Sequence, residues 1–179
     1  REDRAWECEF NLLKLRLTIE AADLSISRIM SMSVTAANSS KFVKVGDVQI
    51  HYHDAGEGPV LLMIHGGAPG AFGWGNFGRN MAALSAHFRT IIVDLPGYGK
   101  SDKPDVEGSR DRFYAEIFKG MLQELGIAKA HVLGMATGGG VAFHMAIEWP
   151  ELIDRLIILS SPGGLQLFVN QMNIKAKLM

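Results

Sequence analysis

The segment Gly134-Met135-Ala136-Thr137-Gly138-Gly139-Gly140 has the spacing of a covalent-catalysis turn, with glycine two positions to either side of a single apex residue. Such a nucleophile elbow is a sharp strand-to-helix bend, and larger neighbours would clash around its strained apex. The chemistry it serves is attack by serine, cysteine or aspartate on a carbonyl carbon. Here the apex is Ala136, whose methyl group has neither a lone pair nor an ionisable proton. Thr137 has a hydroxyl beside the apex, but it points off the bend and no base is assigned to it. A second turn, His65-Gly66-Gly67-Ala68-Pro69-Gly70, is rich enough in glycine for backbone N–H groups to face an anion, which suits an oxyanion hole. A third runs from Asp94 through Pro96, Gly97 and Tyr98 to Pro104, and its charges read as structural or solvated.

Other chemistry-bearing residues have blander readings. His51 and His53 alternate on one run and share a face, but no third ligand accompanies them, so metal binding is not expected. His65 opens a tight turn and reads as a local hydrogen-bonding residue. His87, His131 and His144 read as structural or exposed, Ser160 and Ser161 as caps at a strand end.

The elements that must hold these turns follow from periodicity. Phe42 to Val45, a Gly46-Asp47 turn and Val48 to His53 predict a hairpin. The continuous apolar run Val60 to Ile64 predicts a strand buried on both faces, as do Thr90 to Val93, His131 to Leu133 and Leu156 to Leu159. Helices are predicted between them at about 76–87, 110–125 and 139–148, the last ending before Pro150. The alternation specifies an α/β fold with a doubly wound, mostly parallel sheet. Ligands of such sheets bind beyond the carboxyl ends of the strands, where all three turns fall. Residues 1–40 read as an N-terminal extension, disordered or artefactual, 41–161 as the core, and 162–179 as the start of a lid segment.

Composition narrows the partners. The 179 residues are 47% hydrophobic and 21% charged, and 18 Lys and Arg against 19 Asp and Glu leave a net charge of −1. No global field attracts nucleic acid or anionic lipid. The apolar runs fall far short of the roughly 20 residues that span a bilayer. One cysteine, Cys8, makes no internal disulfide, so a cytoplasmic setting is expected.

Taken in order, the three turns resemble those of the α/β-hydrolase family. The run His65 to Asn76 and the later Ser161-Pro162-Gly163-Gly164-Leu165 are similar to those of its meta-cleavage-product hydrolases, over about residues 41–170. That resemblance implies cofactor-free cleavage of a carbon-carbon bond in a 2-hydroxy-6-oxo-dienoate, a ring-opening product of a catechol. It places Ala136 at the nucleophile serine, Gly67 and Thr137 at the two oxyanion N–H groups, and Gly66, Asn76 and Met135 along the substrate. Met135 stands where the family usually has asparagine, and Ala68 where it has glycine. The family's acid and histidine follow the nucleophile in the chain, yet here only His144, inside a helix, and Asp154 after it are available, and neither fits the role. The chain therefore reads as truncated before the lid and last strands, and as inactive. Two alternatives stand beside this: a pseudo-hydrolase binding a small carboxylate, a ketone or a partner protein, and a fragment of an esterase or other α/β-hydrolase. An exposed last strand is the expected site of any self-association.

Overall fold

A computed structural model describes residues 34–161. The extension before residue 34 and the segment from 162 to 179 lie outside the described residues. Residues 34–40, expected within the extension, instead join the fold. Thr35 caps a short helix, α1 (Ala36–Ser39), which leads directly into β1 (Ser40–Val45). The Ser39 and Ser40 side chains then reach across to His53 and His51 at 2.9 and 2.8 Å.

The remaining elements alternate as the periodicity predicts: β2 (Val48–Ala55), β3 (Val60–Ile64), α2 (Gly73–Leu84), β4 (Arg89–Val93), α3 (Arg110–Glu124), β5 (Ala130–Met135), α4 (Thr137–Glu148), a single 3-10 turn and β6 (Ile153–Leu159). Among the described residues they build one sheet in the order β1-β2-β4-β3-β5-β6. The predicted hairpin β1–β2 is antiparallel and attaches antiparallel to β4. The strands from β4 to β6 run parallel, as crossover helices require.

Helices cover both faces, so successive residues of a central strand bury in opposite directions. Leu62 and Ile64 of β3 pack with Phe118 and Met121 of α3 and with Val141 and Met145 of α4. Leu61 and Met63 turn the other way, onto Phe77 and Met81 of α2. The sheet is therefore doubly wound, and the carboxyl ends of β3, β4 and β5 open together on one rim. At the border strand β6, Leu156, Ile157 and Leu159 are exposed. Among the described residues no helix is long and apolar enough to cross a membrane.

Candidate active site

At the end of β5 the chain reverses through Ala136, which lies at φ 49° and ψ −113°. A non-glycine residue in this region costs about 1–3 kcal/mol and persists only where its surroundings over-determine it. They do so here. The Ala136 N–H donates to the Leu159 carbonyl at 3.0 Å, and the Ala136 carbonyl accepts from the Gly139 N–H at 3.0 Å and from the Ser161 hydroxyl at 2.8 Å. Helix α4 starts at Thr137, two residues earlier than the periodicity predicts, because the bend delivers the chain directly into its first turn.

Close packing explains the flanking glycines. A Cβ on Gly134 would collide with the backbone of Gly138 and Gly139, and one on Gly138 with the carbonyls of Ile64 and His65. The elbow can therefore sit against the end of β3 only without side chains at these points.

The second turn, after β3, faces this apex. A Cβ on Gly66 would lie 3.3 Å from the Ala136 methyl and 3.7 Å from Cε of Met135, and one on Gly67 would lie 2.6 Å from the Thr137 hydroxyl. Gly66, Gly67, Met135, Ala136 and Thr137 are thus brought to one place. Thr137 opens a helix, where backbone N–H groups lack intrahelical partners and carry the positive end of the helix dipole. Among the described residues, no backbone carbonyl outside the helices and strands accepts from the N–H of Gly67 or Thr137.

His65 sets the direction of the Gly67 N–H. Its Nε2 accepts from the Leu95 N–H at 3.0 Å, so the proton resides on Nδ1, which donates to the Gly66 carbonyl at 2.7 Å. That carbonyl and the Gly67 N–H belong to one planar peptide, so fixing one fixes the other. Tyr98 pins the next peptide by donating to the Gly67 carbonyl at 2.8 Å. Sequence reasoning placed His65 correctly as a backbone-bonding residue but had no signal for Tyr98, which comes from a different loop.

Asn76 is not drawn into the cluster in the same way. It lies in the first turn of α2 and its Nδ2 turns back to donate to the Phe72 carbonyl at 3.3 Å. Neither of the later candidates stands at the apex. His144 lies 3.8 Å from Glu148 on its own helix. Asp154 lies beside His131 and Lys129 at the starts of β5 and β6, the opposite end of the sheet from the elbow.

Asp94, at the carboxyl end of β4, is the buried hub beneath these loops. It accepts from the Gly73 N–H at 2.6 Å, from His51 Nδ1 at 2.8 Å and from the Lys100 N–H at 2.9 Å. Its position directly after a buried strand was the available signal, and the structural reading of its charge matches the bonds observed.

Burial also sets an acid limit. Desolvation holds His65 below the ordinary histidine range, and desolvation with the neighbouring His51 brings His53 down to about 4. Both rings are neutral in the folded chain, whereas the unfolded chain protonates them below about 6.5. The unfolded state thus binds more protons, and their contribution to stability, complete above about 6.5, is lost as pH falls towards 4. Urea unfolding at pH 7 and pH 5 should show the midpoint moving to lower denaturant at pH 5; an unchanged midpoint would refute this account.

A strand, a strained apex and a helix N-terminus, opposed by a glycine turn on a doubly wound sheet, define the hydrolase class whose nucleophile sits on an elbow. The chain belongs to the alpha/beta hydrolase fold family, whose model matches residues 59–177. It is 42% identical over 138 residues to a 2-hydroxy-6-oxo-6-phenylhexa-2,4-dienoate hydrolase of Comamonas testosteroni, covering 74% of this chain and 48% of the relative. It is 44% identical over 140 residues to a 2-hydroxy-6-oxononadienedioate/2-hydroxy-6-oxononatrienedioate hydrolase of a Pseudomonas species, covering 74% and 49%. The chain spans about half the length of these curated relatives. Among solved structures, a serine-to-alanine mutant of the meta-cleavage product hydrolase of Pseudomonas fluorescens IP01, complexed with acetates, is similar with a TM-score of 0.62 and 34% identity, over 65% of this chain and 43% of that one.

Proposed function

We propose that this polypeptide carries the elbow-bearing part of a hydrolase of the 2-hydroxy-6-oxo-dienoate type, in which Ala136 abolishes covalent turnover. What remains is a cradle that binds a small carboxylate or ketone without cleaving it. The observation that carries this reading is an elbow with its strained backbone intact, a methyl group at its apex and Thr137 next in the chain, faced by the turn at Gly66 and Gly67. The names of the relatives supply the substrate class. A serine-to-alanine mutant of a related hydrolase is complexed with acetates, which supports a small carboxylate as the ligand. In this reading the carboxylate oxygen takes the N–H groups of Gly67 and Thr137, with Gly66 and Met135 forming the adjoining wall. Asn76 would turn away from Phe72 to meet the oxygenated end of a longer ligand. Holding the ligand in this cradle calls on no cofactor, because the stabilising N–H groups come from the backbone at Gly67 and Thr137.

Assay of 2-hydroxy-6-oxo-6-phenylhexa-2,4-dienoate disappearance should give turnover on the order of 10⁶-fold below that of the Comamonas relative, the loss that accompanies removal of a serine nucleophile. Acetate titrated into labelled protein should shift the amide resonances of Gly67 and Thr137. Turnover within a hundredfold of the relative, copurifying with this chain, would overturn the proposal.

A further inference from the structure

Away from the elbow, the hairpin edge of the sheet holds a second constellation of groups able to do nucleophilic chemistry. Ser40 Oγ lies 2.8 Å from His51 Nε2, and His51 Nδ1 lies 2.8 Å from Asp94 Oδ2. The carboxylate only accepts, so Nδ1 must carry the proton. Nε2 then presents its lone pair, and the Ser40 hydroxyl donates to it. This is the tautomer and the direction of donation that a general base needs to deprotonate a serine.

The adjacent serine shows what a purely structural bond on this edge looks like. Ser39 commits its own proton to the Thr35 carbonyl at 2.6 Å and accepts from His53 Nδ1, and it is fully buried. Ser40 differs on both counts, since its proton goes to imidazole and it is only partly buried at the start of β1. Behind it the pair is sealed, with His51 and Asp94 side chains 2% and 3% exposed. The N–H groups of Gly73 and Lys100 hold the carboxylate, so it cannot swing away from the ring.

We propose that Ser40 is a nucleophile towards small activated acyl and phosphonyl donors, with His51 as its base and Asp94 as the residue that positions the ring. With an aryl ester, Ser40 Oγ bonds to the carbonyl carbon while its proton passes to His51 Nε2. The bond from that carbon to the aryl oxygen breaks, and the leaving phenolate takes the proton from His51 as phenol. An acyl-serine remains; water then gives a proton to the same Nε2 and its oxygen bonds to the acyl carbon, the bond from that carbon to Ser40 Oγ breaks, and Ser40 Oγ takes the proton back from His51 as the acid leaves. With a fluorophosphonate the new bond is to phosphorus, fluoride departs, and the adduct is stable. This site is separate from the elbow, so dienoate turnover and Ser40 labelling test different claims.

The full chain is treated with an alkyl fluorophosphonate and its peptides are mapped by mass spectrometry over time. Labelling at Ser40 should run about 100-fold faster than at any other serine, the lower end of what a positioned general base supplies. The Ser40→Ala variant loses one partly buried hydrogen bond and should fold yet take up no label at that peptide. Because His51→Gln removes a buried ring that ties the edge to Asp94, Ser40→Cys provides the second reading, with its thiol alkylated by iodoacetamide faster in the folded chain than in urea. A folded wild-type chain in which Ser40 labels no faster than other serines, or no faster than in urea, overturns the proposal.

Discussion

Replacing Asp94 with alanine should cost about 3–5 kcal/mol, the penalty for removing one partner from a buried charged network. Three donors converge on this carboxylate: the N–H groups of Gly73 and Lys100, and the ring of His51. Alanine leaves all three facing an apolar void, each with its desolvation cost unrepaid. The loss is a large share of the 5–15 kcal/mol that stabilises an ordinary domain, so a fall of about 10 °C or more in Tm is expected. Asp94→Asn retains one carbonyl acceptor and should lie between the two. Thermal unfolding of the three proteins side by side is the measurement, and a loss below about 1 kcal/mol for Asp94→Ala would show that the hub is dispensable. The local consequence should be as marked as the global one, because Asp94 supplies the cap that starts α2 at Gly73.

Gly138→Ala is expected to have the next largest effect, for a different reason. Its new methyl would meet the carbonyls of Ile64 and His65, which are backbone atoms at the end of a central strand and cannot rotate away. Helix α4 must then lift off β3, at about 3 kcal/mol, the upper range for an overpacked core site. Lifting also separates Thr137 from Gly67, so acetate binding should disappear along with stability. A variant that retained binding while losing stability would separate the cradle from the packing that holds it. Denaturant unfolding and acetate titration on one sample decide the matter.

Much of the fold is legible in single segments. Val60–Ile64 is a continuous apolar run that becomes β3 with the bounds its pattern predicts, because a strand covered by helices on both faces has no polar side to show. The elbow is legible for a similar reason: its glycines are dictated by distances of closest approach within a few residues, and the apex chemistry is a property of the side chain alone. Element ends were less legible. Helix α2 begins at Gly73 rather than near Asn76 since its cap is the Asp94 carboxylate, 21 positions away, while Phe72 at the N-cap offers no side-chain bond. Residues 34–40 look like an extension in sequence, and it takes the packing of Val34 on the α2-side core, the pairing of Ser40 with His53 in the β1–β2 ladder and the bonds from Ser39 and Ser40 to His53 and His51 to make them part of the sheet edge.

The sequence by itself thus determined the alternation of strands and helices, the order of the three turns and the methyl side chain of Ala136 between the elbow's glycines. Each depends on covalent identity or on a period of two to four residues. Only the tertiary structure decided that β4 lies between β2 and β3, that Tyr98 and His65 orient the turn facing the apex, and that Ser40, His51 and Asp94 form one hydrogen-bonded line. Tyr98 reaches Gly67 from 31 positions away, Ser40 reaches His51 across 11 and His51 reaches Asp94 across 43, with no period connecting them. Their meeting follows from which faces the sheet must bury, a condition on the whole chain that no local pattern records.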